Sequence, residues 1–511
     1  MSLNLAFSIA KSGLLGTQRA LAQVAQNITN ADTPGYTRKV ATATSVTVEG
    51  QPLGIKLGEA RRSVDGALVA ERDQRAADVA AAMVRERLLT SIEAVHGSTD
   101  SGNSLGDTIA ALQSSLISLQ ATPGDTGLQR NAAEAAYDVA TRFNEIAEAI
   151  GDARQQAQDG VLSEVETINA ALREITQLTN SIKADMVRGL PVGDLADQRD
   201  LALTKLSESL PVQALHQADG GLILITKGGL ALPMLASGDA LSTSLASMGP
   251  DAYYGAGGSI PGVTLGGVDV TSQLTGGRLG EYLTLRDATL PRYQAELDVA
   301  ASQLASRFSA QGLALFTDAS GAVPDTSLGY AAAGSGQIGF ANVIRLASAV
   351  AANPALLRDG THAVADTPGG PTAFTPNPAN GPSGFTTLIE RLVKYSLGDS
   401  ARDGSYWAPI PSSGLGPDGS LSSPFIPGRS VGSYASTLTA TQSADRAAAT
   451  TAKERASALR DGLDARLQAE SGVDPDAEMA ALIQLQNAYA ANARVMNATQ
   501  EMWAALQGIA S

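Results

Sequence analysis

The sequence contains no cysteine, which excludes disulfides, thiolate zinc sites, iron–sulfur clusters and thiol catalysis together. Histidine is nearly absent too. His96, His216 and His362 stand far apart along the chain, so packed or solvated side chains are expected rather than a histidine-rich metal site or relay. Aromatic residues make up only 4% of the 511 positions. The 44% hydrophobic share therefore rests largely on Ala, Leu, Val and Ile, which favours slender helical packing over a bulky core. Positive charge is also short. The formal net charge is −15, from 36 basic and 51 acidic side chains, and no Lys/Arg run offsets it, which argues against nucleic acid as a partner. No stretch approaches the ~18 consecutive apolar residues of a membrane span. The opening segment MSLNLAFSIAKSGLLG has neither a basic leader nor a continuous apolar run, so a cleaved signal peptide is not expected.

What the chain does have is most legible at its two ends. Leu3, Phe7, Ala10, Leu14, Thr17, Leu21, Val24 and Ile28 repeat with alternating spacings of four and three, the mark of a heptad seam. The opposite side carries Asn4, Ser8, Lys11, Gln18 and Gln26, so such a helix has one apolar stripe that it cannot bury alone. Asn27, Asn30 and Asp32 mark its end. In Thr33-Pro34-Gly35, proline presets the first turn position and glycine permits positive φ at the second. At the other end, Gly472 can close one helix and Asp474 cap the next, with Pro475 at its first position and Asp476 and Glu478 in its first turn. The seam that follows is Leu482, Leu485, Tyr489, Asn492, Met496, Thr499, Trp503 and Leu506. Matching seams at both ends point to a terminal coiled coil formed between them.

Between the ends, proline-free helical runs are expected from about Asp65 to His96, Ser104 to Gln120, and Leu128 to Val187. In the last run Val161, Val165, Ile168, Leu172, Ile175 and Ile182 keep heptad spacing, with Thr179 the polar member and Gly151 and Gly160 the points where a break could fall. After Gly189-Leu190-Pro191 the texture changes to short apolar runs, Leu222–Thr226, Val263–Leu265 and Val268–Val270, punctuated by glycine pairs. Further helices are expected at Leu290–Ala314, near Val343–Ala351, and at Tyr434–Glu470, with Gly/Pro-rich loops between them. The expected fold class is mainly α with an inserted small β domain: an elongated, multi-domain chain with a terminal α-helical coiled coil and a long-helix bundle. The expected division is residues 1–40 with 471–511 as the terminal coiled-coil assembly domain, and 41–206 with 281–315 and 385–470 as a helical rod. Residues 207–280 form the β insertion and 316–384 an irregular Gly/Pro-rich region.

Catalytic patterns fail on context. Gly334-Ser335-Gly336-Gln337-Ile338-Gly339 has the glycine spacing of a dinucleotide loop, but Ala331–Ala333 rather than a strand precedes it, so a flexible loop is expected. Asp318-Ala319-Ser320-Gly321 lacks the alternating acidic ligands and closing Glu of a calcium loop. No catalytic residue, cofactor or metal site is expected, and the chain does not read as an enzyme. Asp197, Arg199 and Asp200 read as an ion network at a helix start.

The stretch Gln26-Asn27-Ile28-Thr29-Asn30-Ala31-Asp32-Thr33-Pro34-Gly35-Tyr36-Thr37-Arg38 resembles the N-terminal signature of the bacterial flagellar rod, hook and hook-associated proteins. Asn30, Thr33, Pro34, Gly35, Tyr36 and Arg38 form its turn motif. Ser471-Gly472-Val473-Asp474, with Glu478, Leu482-Ile483, Gln486, Ala488-Tyr489, Ala491-Asn492-Ala493, Val495 and Met502, resembles the C-terminal signature of the same family. Two internal segments, Asp194-Leu195-Ala196-Asp197-Gln198-Arg199-Asp200 and Gly277-Arg278-Leu279-Gly280-Glu281-Tyr282-Leu283, are similar to features of its hook-associated branch. The resemblance implies a secreted structural part of the flagellum at the hook–filament junction, exported by the flagellar type III route. It further implies self-assembly into a helical tier between the hook protein and hook-associated protein 3, and a cytoplasmic export chaperone on the C-terminal helix, here Leu482–Leu506. A hook or distal rod subunit is the alternative within the family. A secreted adhesin or cell-wall-active enzyme built on the 207–430 region is the alternative of another class.

Overall fold

The computed structural model describes residues 3–48, 51–97 and 102–510. The outermost positions assigned to the terminal domain, 1–2 and 511, lie outside that set. Helix α1 (Leu3–Thr29) leads through a turn into a long antiparallel hairpin, β1 (Lys39–Val48) and β2 (Gln51–Arg62), whose register pairs Lys39 with Arg62 and Val46 with Gly54. The hairpin departs from the sequence reading, which assigned residues 41–62 to the helical rod. Its β-branched alternation, Thr42, Thr44, Val46 and Val48, suits a ribbon, and α1 supplies the surface it lies on. Gly16 of α1 faces Ile55, where a Cβ would sit 2.9 Å from that side chain, and Ser12 Oγ accepts a bond from the Ile55 amide at 3.3 Å.

The rod follows. Helix α2 (Gly66–His96) is capped by Asp65, and α3 (Leu105–Ala121) by a reciprocal Ser104–Asp107 box. Helix α4 (Thr126–Arg188) runs 63 residues without a break, about 95 Å at 1.5 Å per residue. Neither Gly151 nor Gly160 interrupts it. Asp125 satisfies its first amides and Gly189, left-handed at φ 69°, closes it. Val161, Val165, Ile168, Leu172, Ile175, Thr179 and Ile182 are all buried. Helix α5 (Gly193–Ser209) then turns back along α4.

The β part is smaller than the 207–280 expected. Strands β3 (Val212–His216), β4 (Leu222–Thr226) and β5 (Ala231–Leu232) form one antiparallel sheet; β6 (Leu241–Ser242), β7 (Thr264–Leu265) and β8 (Val268–Asp269) form another. Helix α6 (Gly277–Thr284) begins inside the range assigned to the β domain and passes through a π-type bulge, Leu285–Thr289, into α7 (Leu290–Ala310). The glycines in the first turn of α6 lie where backbones touch. A Cβ on Gly280 would lie 2.9 Å from the Thr275 carbonyl carbon, and one on Gly277 would lie 2.6 Å from the Ser209 oxygen.

Residues beyond α7 carry little regular structure yet are packed. Strands β9 (Phe316–Thr317) and β10 (Arg345–Leu346) pair across α8 (Phe340–Val343); α9 (Ser348–Ala352), α10 (Leu356–Asp359) and α11 (Thr387–Arg391) are single turns. The one helix expected near 343–351 is thus split by a strand. Phe316, Tyr330, Phe340, Ile344, Leu357 and Phe374 all join the common core. The 334–339 glycine loop is anchored rather than flexible: Gly339 and Ala341 donate amides to Asp298 at 2.8 and 2.9 Å, and Ser335 and Gln337 are buried. Two minimal hairpins, β11 (Ser400–Arg402) with β12 (Ser405–Tyr406) and β13 (Ser413–Leu415) with β14 (Leu421–Ser422), precede α12 (Val431–Ser471), which packs back along α2. Helix α13 (Pro475–Ala510) returns to α1.

Candidate functional site

The two chain ends meet as an antiparallel pair, with Asn27 of α1 beside Glu478 and Thr17 beside Asn492. On α1, Ala10 and Thr17 are buried, and Leu3, Phe7, Leu14, Leu21, Val24 and Ile28 are half-buried. Gly13 permits the close approach: a Cβ there would stand 3.0 Å from the Asn492 amide. On α13, Thr499 is buried and Leu482, Leu485, Asn492 and Met496 are half-buried, whereas Tyr489, Trp503 and Leu506 remain exposed. Off that seam Met479, Ile483, Val495 and Met502 are each about half exposed as well (48%, 55%, 50% and 51%). Among the described residues, these large apolar side chains of α13 stand about 40–55% exposed rather than covered by the rest of the chain. An open groove of about 410 Å³ runs between α1, β1 and α13, walled by Val24, Val40, Ala481, Leu485 and Ala488.

The turn after α1 is built by its residue types. Tyr36 donates its amide to the Thr33 carbonyl at 3.1 Å, with Pro34 first and Gly35 (φ 78°) second, the arrangement of a type II turn. Asn30 closes the helix by donating to the Gln26 carbonyl at 2.9 Å. Thr33, Pro34 and Gly35 are exposed, while Asn30, Tyr36 and Arg38 are half-buried.

From Thr37 the chain is extended, and alternation sends neighbouring side chains opposite ways. Arg38 points to α13, where its Nε donates to Glu478 Oε1 at 2.6 Å. Thr37 and Lys39 point to α5. Thr37 Oγ1 donates to Asp197 Oδ1 at 2.6 Å, and Lys39 Nζ reaches Asp194 at 2.5 Å and Asp197 at 2.8 Å while lying 3.7 Å over the Tyr36 ring. Arg62, paired with Lys39 across the hairpin, adds bonds to Asp197 (2.7 Å) and Asp200. Burial disfavours the Lys39 charge, but its bonds to Asp194 and Asp197 outweigh this and hold the ammonium above the ordinary lysine value. Removing one partner from such a buried pair costs about 3–5 kcal/mol, because the other charge is left uncompensated.

Asn27 organises the inner side. It is 1% exposed, donates to the Lys39 carbonyl (3.0 Å) and Glu478 (3.2 Å), and accepts from the Lys39 amide (3.2 Å) and the Tyr36 hydroxyl (2.9 Å). Lys39 and Arg62 were not singled out in the sequence. The signal was the alternation of Thr37-Arg38-Lys39, which places two polar groups on one face of a strand start. The acidic segment 194–200 is corrected by the same geometry. It is not a local helix-start network: Asp197 and Asp200 reach the hairpin, and Arg199 turns the other way to the Gly220 carbonyl and His216.

Elsewhere polar groups serve packing. His96 is 2% exposed, and burial, with Arg142 nearby, depresses its pKa to about 4. His362 bonds to Thr361 and the Ser309 carbonyl. Burial pushes Glu296 up to about 7 and Asp298 up to about 6, the latter despite four donors from Gly339, Ala341, Tyr330 and Gln294. Among the described residues no group of three or more His, Asp or Glu side chains is placed to hold a metal, and no helix is long and apolar enough to cross a membrane.

With the geometry in hand, two family models match. Residues 89–322 match the flagellar hook-associated protein FlgK helical domain, and residues 468–509 match the flagellar basal body rod FlgEFG protein C-terminal segment. Both matches are to models of flagellar hook and rod proteins, and the chain is similar to the flagellar hook-associated proteins over these segments. It is 25% identical over 232 residues to flagellar hook-associated protein 1 of Bacillus subtilis, covering 43% of this chain and 46% of that one. It is 24% identical over 314 residues to flagellar hook-associated protein 1 of Salmonella typhimurium, covering 59% and 55%. The chain spans about half the length of the curated relatives it matches. A solved structure of the flagellar hook junction protein FlgK from Burkholderia pseudomallei aligns at a TM-score of 0.40 and 24% identity, over 50% of this chain and 45% of that one.

Proposed function

We propose that this protein is a structural, non-enzymatic part of the flagellum that connects hook to filament by helical self-assembly through its terminal helices. The observation that carries the reading is the half-covered α13. It is paired with α1 along one stripe, yet Met479, Ile483, Val495, Met502, Trp503 and Leu506 stay open, as expected of a helix whose remaining face is buried by neighbouring copies. The hook protein below and hook-associated protein 3 above are the proposed neighbours. Export by the flagellar type III route, with a chaperone covering Leu482–Leu506 beforehand, would keep this surface from aggregating.

Leu14→Asp and Trp503→Ala test the reading. Both should leave the rod helices folded but impair incorporation, so that filaments are shed or flagellin is lost to the medium. Normal motility in both variants would refute it. Electron microscopy of a deletion strain separates the alternatives: hooks without filaments support the junction, and missing hooks would make the chain a hook or distal rod subunit.

A further inference from the structure

The acidic segment of α5 is not explained by self-assembly, since its side chains face this chain's own hairpin. Three facts define what it does. First, the terminal module of α1, the hairpin and α13 is joined to the rod by two short covalent passages, from β2 into α2 and from α12 into α13. Both are stapled to one residue: the Arg38 amide donates to the Ser471 carbonyl at 2.8 Å, and its carbonyl accepts from the Ser63 amide at 2.9 Å. Second, among the described residues, the side-chain hydrogen bonds and ion pairs that link α1, the turn and the hairpin to the rod all end on Asp194, Asp197 or Asp200. Third, the inner members are withdrawn from water, with the Lys39 side chain 4% and that of Asp197 7% exposed, so the contact is screened less than a surface pair.

Two passages stapled at one point form a pivot, and a pivot alone leaves the angle between the parts free. We propose that α5 supplies the missing constraint as an ionic latch: Asp194, Asp197 and Asp200 close on Thr37, Lys39 and Arg62 and fix the angle at which the terminal module stands on the rod, with Arg38 as the pivot. This rests on the junction reading for its purpose, because a subunit seated between a curved and a straight polymer needs a defined yet releasable angle there. What breaks on release is mainly ion pairs and hydrogen bonds to carboxylates, which water can replace, together with the contact of Leu201 against the turn at Gly35.

The chain's lack of cysteine makes the test direct. Spin labels are attached to the purified full chain through Gln18→Cys on α1 and Ala170→Cys on α4, both exposed positions, and the distance between them is measured by pulsed electron paramagnetic resonance. The otherwise unaltered chain should give one narrow peak. Lys39→Met and Asp197→Asn should lose it to a broad distribution, while circular dichroism reports the rod helices intact. Lys39→Arg, which keeps the charge, should retain the peak, as should Asp239→Asn, which breaks the exposed Arg173–Asp239 pair remote from the latch. A narrow peak in Lys39→Met and Asp197→Asn, or a broad one in the otherwise unaltered chain, overturns the latch. The junction reading fails on a different result, missing hooks in the deletion strain, which leaves this distance measurement standing.

Discussion

Gly160 lies in the middle of α4, where glycine is ordinarily a liability, and the structure gives it a single reason to be there. A Cβ at this position would fall 2.4–2.6 Å from three ring carbons of Tyr282. The ring cannot easily withdraw. Arg87 holds its hydroxyl, and α6 is pinned on either side by Arg278 to Glu164 (2.8 Å) and Glu208 (3.1 Å) and by Arg85 to Glu281 (2.6 Å). Gly160→Ala therefore sets two effects against each other. Helix propensity favours alanine by about 1 kcal/mol, whereas forcing a methyl into a filled contact costs about 1–3 kcal/mol. The net is neutral to about 2 kcal/mol destabilising, a fall of up to a few degrees in melting temperature for a domain of this size. Tyr282→Ala alone should cost about 3–5 kcal/mol, as for other large buried aromatics. The decisive measurement is the double variant. Once the ring is gone the clash goes with it, and Gly160→Ala should become stabilising by about 1 kcal/mol. Urea unfolding followed by circular dichroism reads this change of sign. An effect of Gly160→Ala that is the same in both backgrounds would show that the glycine is not there for the ring.

Acid acts on the rod in two opposed ways. His96, depressed to about 4, takes up a proton more readily when unfolded, so it withdraws stability as pH falls from about 6.5 to 4, on the order of 3 kcal/mol in all. Glu296, raised to about 7, and Asp73 and Asp298, raised to about 6, bind protons more tightly when folded. They add stability as pH falls through those values toward the ordinary carboxylate range. Between pH 7 and 5, His96→Leu should therefore gain more urea resistance than the unaltered chain and Glu296→Gln less; equal pH slopes in all three would contradict this. At the hairpin, Gly54 has φ 133° and a Cβ there would lie 2.0 Å from Ser12 Oγ, so Gly54→Val should lift the ribbon from α1. Hydrogen exchange is expected to quicken in β1 and β2 but not in α4, and unchanged protection of the hairpin would refute the contact.

What could be seen in the sequence follows from how local the causes are. The α4 seam, the approximate helix starts near Asp65 and Ser104, and the Thr33–Tyr36 turn each depend on residues within a few positions of one another, and all were legible; the cap at Asp125, three residues ahead of the expected start at Leu128, was not. The hairpin was not, because α1, the surface it needs, is separate in sequence and Thr-rich alternation without an obvious apolar face does not declare a strand. Helix α6 was hidden for the opposite reason. Gly277 and Gly280 lower helix propensity locally, yet they are required by backbones that approach from Ser209 and Thr275, a tertiary cause. Asn30, Pro34 and Gly35 could be placed in a turn from their types alone. Lys39 and Arg62 could not, since their partners lie about 140 to 160 residues away on α5 and only the fold brings them together.

The terminal helices also differ from the rod in what they leave out. Helix α1 carries two charges, Lys11 and Arg19, and α13 carries four, Asp476, Glu478, Arg494 and Glu501. Of these, Glu478 is spent within the chain on Arg38 and Asn27. The rest of the open face of α13 is alanine, neutral amides such as Gln484, Gln486, Asn487 and Asn497, and the unpartnered Met, Ile, Val and Trp side chains. A face meant to stay in water would be expected to carry alternating charge, because exposed apolar residues invite association. Neutral amides, by contrast, can enter an interface without the cost of desolvating a charge. The two contacts of the terminal module are thus chemically distinct. Its outward face is apolar and amide-rich, suited to stacking many copies regardless of their order of arrival, whereas its inward contact with α5 is ionic and specific to one geometry. On the proposed reading, a subunit that both polymerises and holds a set angle requires that division, since a single apolar surface could not distinguish its own rod from a neighbour's helix.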